Sequence, residues 1–238
     1  MVFTVTLLVQ LLAVQVVSAA NCESAFKRYR TDRYSFSTQF VETNELQSLL
    51  RRSPTDSIEG GLLRSFVPQM TPKTCWASAS AIALNAIELS RSRSAKFTEE
   101  DLVASASTLA ERERQAHEGM SLDDLKERLE TKFNVKVSVL RNPTLKEAKL
   151  MVADAFRETG PRKVVLANFI SEYLGMSPGG HYSPIGKPSS DFNSVLVLDV
   201  AAHHNPPFWL ELNSLLRATA TVDQVSGKMR GFLVIEER

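Results

Sequence analysis

The chain has 238 residues, 43% of them hydrophobic and 23% charged, which is the composition of one globular domain or at most two small lobes. The formal net charge is +1, so charge alone gives no reason to expect a nucleic acid or an anionic membrane surface as a partner. The two cysteines are too few for a fold held together by many disulfides.

The N-terminal twenty residues differ from the rest of the chain. From Val2 to Val17 the sequence carries no charge and is rich in Leu and Val, and the small residues Ser18-Ala19-Ala20 follow. This pattern is typical of a secretory signal peptide, and the run is shorter than the ~20 apolar residues that span a bilayer. We therefore expect a signal peptide over residues 1–20, a mature domain over residues 21–238, no stable membrane insertion, and a secreted or periplasmic protein. The alternative is an N-terminal anchor helix, which the polar residues within the run disfavour.

Helical patterns dominate the first part of the mature chain. Residues 75–89 are mostly Ala, Ile and Leu on all sides, which predicts a buried helix. Gly119 is predicted to interrupt the charged stretch 102–129, with Ser121 as the N-cap of its second half. Further helices are predicted over residues 44–52 and 145–156, with breaks at residues 53–56 and at Gly60-Gly61.

Short runs of β-branched or alternating residues follow, separated by clusters of Gly, Pro, Asn and Ser. Helices followed by strands indicate an α+β fold, in which a helical lobe packs on an antiparallel sheet lobe with a cleft between them. The predicted strands cover residues 135–140, 164–169, 182–185, 195–200 and 232–235.

Cys75 is the first residue of the predicted buried helix. The free N–H groups and the positive dipole end of a helix stabilise a thiolate, and Lys73 adds a positive charge nearby. Cys75 is therefore a candidate nucleophile, although a structural cysteine also favours a buried helix. A disulfide with Cys22 would remove this nucleophile, and we expect none.

His181 and Asp199 are candidate partners of Cys75. Two glycines precede His181, and Asp199 ends an apolar strand. A hairpin between their strands would place the carboxylate beside the ring, where it would fix the imidazole tautomer and stabilise the imidazolium. Gln69, in the loop before the helix, has an amide that would donate to an oxyanion. Taken singly, each of these three residues is explained equally well as an ordinary polar residue that is either solvated or hydrogen-bonded within the fold.

The segments around these residues resemble the phytochelatin synthases, a branch of the papain-like cysteine peptidases. Gln69 with Cys75-Trp76-Ala77 is similar to the papain-type nucleophile segment. The resemblance runs from about Phe40 to the C-terminus and is carried by Leu84-Asn85-Ala86, Gly180–Gly186, Val197–Ala201, Pro206–Trp209 and Gly227–Phe232.

The resemblance implies a specific reaction. Members of the family attack the Cys–Gly bond of glutathione, release glycine, and hold γ-glutamylcysteine as a thioester on their cysteine. The acyl group then passes to another glutathione, to a phytochelatin or to water. By matching motifs, Cys75 would be the nucleophile, His181 the base and then the acid, Asp199 the orienting carboxylate and Gln69 the oxyanion donor.

Substrate-binding residues are implied in the same way. Arg230 would hold a substrate carboxylate, for which a bidentate guanidinium is well shaped, and Asn168 and Gly180 would line the acyl site. A surface arginine in a turn is the alternative for Arg230. The resemblance implies no tightly bound cofactor and no structural metal, because heavy-metal ions would act as metal–thiolate substrates in a detoxification role. A homodimer is compatible with the resemblance. His203-His204 lacks further residues with metal-ligand spacing, so we expect a solvent-facing turn there.

Three departures bear on the activity. Ser171-Glu172 stands where the family tends to carry Arg-Lys, which disfavours an anionic thiol peptide as acceptor. The chain also has no cysteine-rich C-terminal extension and so resembles the bacterial members, which mostly cleave glutathione. We therefore expect hydrolysis rather than transpeptidation. Trp76 stands where the family usually has Gly, so a general papain-like peptidase is a second hypothesis, and a non-catalytic thiol-peptide binder is a third.

Overall fold

The computed structural model describes residues 38–176 and 178–238. The predicted signal peptide and Cys22 lie outside this part of the chain. Within it, helices come first and most strands come later, as the sequence predicts. None of the helices in this part is long and apolar enough to cross a membrane.

The helical half contains the predicted buried helix, which begins at Cys75. Ser121 acts as an N-cap, as predicted, because its side chain accepts a hydrogen bond from the Asp124 backbone N–H at 3.2 Å. The helices of this half are α1 (Thr43–Arg52), α2 (Ile58–Ser65), α3 (Cys75–Ser90), α4 (Glu99–Ala104), α5 (Leu109–Glu118) and α6 (Leu122–Lys132).

The strands form a seven-stranded sheet in which every paired neighbour is antiparallel, so the predicted α+β class is confirmed. Its order is β1-β6-β5-β4-β3-β7-β2. The strands are β1 (Gln39–Phe40), β2 (Val135–Leu140), β3 (Lys163–Ile170), β4 (Gly180–Pro188), β5 (Ser194–Val197), β6 (Phe208–Glu211) and β7 (Gly231–Glu237). Two further helices are α7 (Leu145–Ala155) and α8 (Leu212–Thr219).

Both faces of the sheet are covered, because alternate residues of each strand point to opposite sides. Val164 and Leu166 of β3 belong to the core that α2, α3, α4 and α6 build on one face. Val165 and Ala167 belong to the core that α7 and α8 build on the other. The helical lobe therefore anchors α3 firmly, and α3 packs against β3 and β4.

The prediction that Gly60-Gly61 breaks the chain is wrong, since both glycines lie inside α2. A Cβ on Gly61 would meet the Ala86 carbonyl oxygen at 2.5 Å, and one on Gly60 would meet the Pro54 carbonyl oxygen at 1.9 Å. The glycines therefore serve close packing of α2 on α3 and on the preceding turn, rather than a break in the helix.

The predicted strand over residues 195–200 ends early, at Val197. Asp199 turns the chain away from the sheet, because its Oδ1 accepts a hydrogen bond from the Ala201 backbone N–H at 2.9 Å. This side-chain-to-backbone bond two residues ahead is the geometry of an Asx turn. The turn places Asp199 beyond the end of the strand, where it contacts His181.

Asn85 ties the middle of α3 to the segment that follows it. Its Oδ1 accepts from the backbone N–H groups of Lys96 and Phe97, both at 2.9 Å, and its Nδ2 donates to the Phe97 carbonyl at 2.7 Å. We expect Asn85→Ala to lower the free energy of unfolding by about 1–3 kcal/mol, because partly buried backbone groups lose their partners. Urea denaturation measures this loss, with the exposed Asn134→Ala as control. Equal stability of the two variants would contradict it.

Candidate active site

Cys75 lies at the N-terminus of α3 with a free thiol, and the residue is 7% exposed. The turn before it is held by Thr71 and Thr74, whose hydroxyl oxygens are 2.8 Å apart. Thr74 Oγ1 also bonds to the Thr71 carbonyl at 3.0 Å. Because the first N–H groups of a helix lack intrahelical acceptors, the Cys75 backbone N–H is available beside the sulfur. This position favours negative charge.

His181 and Asp199 form a buried pair. Their Nε2 and Oδ1 atoms are 2.6 Å apart, and Asp199 is 0% exposed. The predicted hairpin is present: β4 and β5 pair antiparallel, which brings the residue just beyond β5 back to the start of β4. The ring of Phe169, opposite His181 on β3, meets the imidazole edge to face with centroids 5.5 Å apart. The ring therefore has a fixed orientation.

The imidazole also interacts with Cys75. Burial lowers the pKa of His181, but the charge and hydrogen bond of Asp199, followed by those of Cys75, outweigh it and raise the pKa to about 10. Because Nε2 is bonded to Asp199, Nδ1 is the ring nitrogen left for the sulfur. The structure thus brings Cys75, His181 and Asp199 together, with an imidazolium at neutral pH.

Gln69 lies in the loop that precedes α3, and the loop is tied to the segment after Asp199. The Gln69 backbone N–H donates to the Val200 carbonyl at 2.7 Å. Its side-chain Nε2 donates to the Thr71 carbonyl at 2.7 Å. An amide nitrogen carries two hydrogens, so one N–H is left for a ligand oxygen. Gln69 and His181 line the same recess.

Arg230 and Asn168 meet because β3 and β7 are neighbours, with Asn168 opposite Gly231. Arg230 Nη1 donates to Asn168 Oδ1 at 2.9 Å, and Arg230 Nη2 lies 3.2 Å from Asp223 Oδ1. The Nε of Arg230 is buried and has no partner among the described residues. The guanidinium is therefore held in place and still has a donor for an anion.

Gly180 lies directly under this guanidinium. A Cβ at Gly180 would lie 2.3 Å from Arg230 Nη1 and 2.6 Å from Nη2. The residue at this position must therefore lack a side chain for Arg230 to lie where it does.

We call the cavity between these groups the acyl pocket. Its volume is about 380 Å³, and Cys75, Asn168, Gly180, Tyr182 and Arg230 line it together with the exposed Lys73, Glu118 and Glu172. Tyr182 donates its hydroxyl to the Met120 carbonyl at 3.0 Å, which fixes that wall. Six of the seven predicted site residues thus line this pocket or the recess beside it, and the seventh, Asp199, lies behind His181.

Asp223 is the acyl-pocket residue that sequence reasoning missed. It lies in a polar loop whose base is the bridge between Val222 and Met229, and this bridge brings it back to Arg230. A carboxylate in a polar loop carries no local signal of its own. The available signal in the sequence was the binding role that the resemblance implies for Arg230, because a guanidinium buried in a binding site requires a partner.

This arrangement defines the class: an α+β protein of the papain-like kind, with a cysteine at a helix N-terminus facing a histidine–aspartate pair on the sheet. The family model described as Phytochelatin synthase matches residues 31–232 of the chain. The chain therefore belongs to the phytochelatin synthase family.

Curated relatives match over shorter segments. A glutathione gamma-glutamylcysteinyltransferase of Schizosaccharomyces pombe is 34% identical over 74 residues, which is 31% of this chain and 18% of the relative. Glutathione gamma-glutamylcysteinyltransferase 1 of Arabidopsis thaliana is 45% identical over 56 residues, 24% of this chain and 12% of the relative. The enzyme with the same printed name from Triticum aestivum is 41% identical over 59 residues, 25% of this chain and 12% of the relative. The matched segments span less than a fifth of each of these relatives.

Proposed function

We propose that this chain cleaves the Cys–Gly bond of glutathione through a thioester on Cys75. The observation that carries the proposal is the juxtaposition of two groups at the acyl pocket. A Cys–His–Asp arrangement suited to acyl transfer adjoins a buried arginine suited to a carboxylate. The name that the curated relatives share, glutathione gamma-glutamylcysteinyltransferase, supports the same substrate.

In the acylation step, the Cys75 thiolate attacks the carbonyl carbon of the Cys–Gly bond and a C–S bond forms. The Cys75 backbone N–H and the free N–H of Gln69 donate to the oxyanion. When the tetrahedral intermediate collapses, the C–N bond breaks and the His181 imidazolium gives its proton to the leaving glycine nitrogen. Arg230 holds the γ-glutamyl carboxylate in the acyl pocket throughout.

In the deacylation step, neutral His181 takes a proton from water, and the resulting hydroxide attacks the thioester carbon. The C–S bond breaks, and γ-glutamylcysteine leaves while Cys75 and the imidazolium are restored. The exposed Glu172 and Glu118 line the acyl pocket and repel a second anionic thiol peptide. We therefore propose hydrolysis as the main outcome and transfer to another glutathione as the minor one.

The direct test is incubation with glutathione and measurement of both glycine and γ-glutamylcysteine. We expect equal amounts of the two products, and no glycine from Cys75→Ala. Mass spectrometry after a rapid acid quench is expected to find one γ-glutamylcysteinyl group on Cys75. Wild-type glycine release no faster than that of Cys75→Ala would contradict the proposal. Tight glutathione binding without glycine release would instead support the non-catalytic binder.

A general peptidase is the weaker alternative. Trp76, the residue that favours it in sequence, is 1% exposed and packs in the helical core, so it does not select the substrate. A panel of α-linked peptides ending in Cys-Gly separates the hypotheses. We expect cleavage only where a γ-glutamyl carboxylate is present for Arg230.

Gly180→Ala tests the acyl pocket. Its methyl group would displace the Arg230 guanidinium and strain the charge-assisted hydrogen bond that we propose between Arg230 and the substrate carboxylate. We therefore expect kcat/KM for glutathione to fall about tenfold. The fold should survive, because the atoms displaced belong to the end of a side chain. Steady-state kinetics measures the effect, with the exposed Ser138→Ala on β2, which lines neither the acyl pocket nor the recess beside it, as control. Kinetics equal to those of the wild type would contradict this account of Arg230.

Exchange of charge at Glu172 tests the proposed hydrolysis. We expect Glu172→Lys to raise the ratio of phytochelatin to γ-glutamylcysteine, because the repelling carboxylate becomes an attracting ammonium. Chromatography of the thiol products gives this ratio directly, with the exposed Glu158→Lys as control. An unchanged ratio would show that Glu172 does not set the acceptor.

We also propose that residues 1–20 are a signal peptide removed on export and that heavy-metal ions act through metal–thiolate substrates. N-terminal sequencing of exported protein tests the first idea. Glycine release at fixed glutathione with and without added Cd²⁺ or Zn²⁺ tests the second.

A further inference from the structure

A second recess adjoins the acyl pocket on its other side. Its volume is about 180 Å³, and it is lined by Gln69, Ser171, His181, His203, His204 and Asn205, among others. Pro72, Pro178, Gly179 and Gly180 line both cavities, so the two are neighbours. We call this recess the histidine pocket. Cys75 lines only the acyl pocket and His181 lines only the histidine pocket.

The wall that carries His203 and His204 is fixed to the catalytic residues. Ala201, at the start of this turn, donates its N–H to Asp199 Oδ1 at 2.9 Å. The Ala201 carbonyl in turn accepts from the N–H groups of His204 at 2.8 Å and Asn205 at 3.0 Å. The rings of His203 and His204 lie side by side, with centroids 4.2 Å apart. The backbone of the turn that carries the two exposed imidazoles is thus tied to Asp199, the partner of His181.

The charge of the histidine pocket comes from imidazoles. Among the described residues that line it, His181, His203 and His204 are the only ones whose side chains can become charged at neutral pH. Burial, followed by the neighbouring His204, lowers the pKa of His203, with a smaller opposing effect of Asp199. Without an anion His203 is therefore mostly neutral and still offers one N–H donor, and a bound anion would favour its charged form.

The chemistry assigns the two pockets to the two halves of the substrate. The acyl group stays on Cys75 and so occupies the acyl pocket. The leaving amine takes its proton from His181, so it must lie on the His181 side. In glutathione the leaving amine is glycine, whose carboxylate is separated from the nitrogen by a single carbon. That carboxylate therefore falls beyond His181, toward the turn bearing His203 and His204.

We propose that His203 and His204 bind the carboxylate of the leaving glycine and so select substrates with a free C-terminal carboxylate after the cleaved bond. The inference rests on the proposed glutathione cleavage and adds its second specificity site. By microscopic reversibility, the same imidazoles receive free glycine when it attacks the thioester and re-forms glutathione. His203 and His204 then determine specificity for the leaving group, and Arg230 determines specificity for the acyl group.

The test compares glutathione with its C-terminal amide, γ-glutamylcysteinylglycinamide, which lacks this carboxylate. We expect the wild type to prefer glutathione about tenfold in kcat/KM, the effect of a hydrogen bond to a charged group. The double variant His203→Leu with His204→Leu should lose this preference because its kcat/KM for glutathione falls, while its kcat/KM for the amide stays the same. His203→Gln with His204→Gln should recover part of it, because glutamine keeps an N–H donor.

A second readout is the exchange of labelled glycine into glutathione. The apparent affinity for free glycine should fall about tenfold in the double leucine variant, while thioester formation on Cys75 continues. His117→Leu is the matched control, because His117 is the one histidine of the chain's four that lies outside both pockets. An unchanged preference with normal thioester formation would overturn the inference and leave the proposed function intact. Absence of thioester from the wild type would overturn both.

Discussion

Replacing Asp199 with asparagine is expected to lower kcat for glycine release by about 10²–10⁴-fold, the range seen when a histidine loses its orienting carboxylate. Asp199 is fully buried, and its Oδ1 contacts both His181 and the Ala201 backbone. An asparagine keeps the shape and can keep one of these contacts. It removes the negative charge, and with it the stabilisation of the imidazolium that we propose protonates the leaving group.

The pH dependence gives this prediction its sharper form. In the wild type the pKa of His181 is about 10, so the imidazolium persists and kcat/KM falls only as pH rises through about that value. In Asp199→Asn the main influence that raises this pKa is lost and burial is left to lower it. We expect the alkaline limb of the pH profile to move toward neutral pH, as a property of the coupled Cys75–His181 pair.

Stability should change with pH in the corresponding sense. The folded-state pKa of His181 lies above the ordinary value of 6.5, so this group stabilises the fold fully below about pH 6.5 and loses that contribution as pH rises toward 10. Urea unfolding at several pH values between 6.5 and 10 should give a declining free energy for the wild type and a flatter curve for Asp199→Asn. Asp56→Asn, an exposed change, is the control. Identical slopes in the variant and the wild type would refute the assignment.

Replacing Arg230 with methionine is expected to lower kcat/KM for glutathione roughly 100-fold, since the proposed charge-assisted contact of a buried guanidinium with the substrate carboxylate would be lost. The guanidinium is the group that Asn168 and Asp223 hold over Gly180. Arg230→Lys should recover little, because an ammonium cannot bond to both partners and to a substrate carboxylate in one plane. We expect most of the loss in KM, since the carboxylate is bound in both the ground state and the transition state.

A substrate analogue separates binding from misfolding in this variant. A glutathione analogue without the γ-glutamyl α-carboxylate should react slowly with the wild type and equally slowly with Arg230→Met. Lys228→Met, which removes a nearby exposed cation paired with Asp123, is the matched control. If Arg230→Met lowered kcat/KM for the analogue as much as it lowers kcat/KM for glutathione, Arg230 would stabilise the fold rather than bind the substrate.

The sequence predicts the main helices and strands well where a periodic pattern is long. α3 is predicted to within one residue, and β2 to the residue. The sequence does not predict β6, because Pro206-Pro207 directly before it indicates a loop. Its four residues are also too few to show the two-residue alternation of a strand. The sequence does not predict α2 because its paired glycines resemble a turn, whereas Gly61 is required by contact with the Ala86 backbone of α3 and Gly60 by contact with the Pro54 carbonyl. Such contacts belong to tertiary packing and leave no trace in local sequence.

The site was predictable in part for the same reason. Cys75, His181 and Asp199 each carry a local signal: a helix start, a paired glycine and a strand end. The network around Arg230 depends on the pairing of β3 with β7, which are far apart in sequence. The role that we propose for His203 and His204 depends on a turn fixed by Asp199. No spacing rule in the sequence predicts either of these contacts.

The place of β7 in the sheet has a consequence for biosynthesis. β7 lies between β3 and β2, although both of those strands leave the ribosome long before it. Until Gly231–Glu237 emerges, β2 has no neighbour and β3 has an open edge, the condition under which nascent chains pair with one another. The same event delivers Arg230 to its pocket. The growing polypeptide therefore closes this part of its sheet and positions the arginine for which we propose a substrate role in the same step, and truncation before this strand is expected to prevent both.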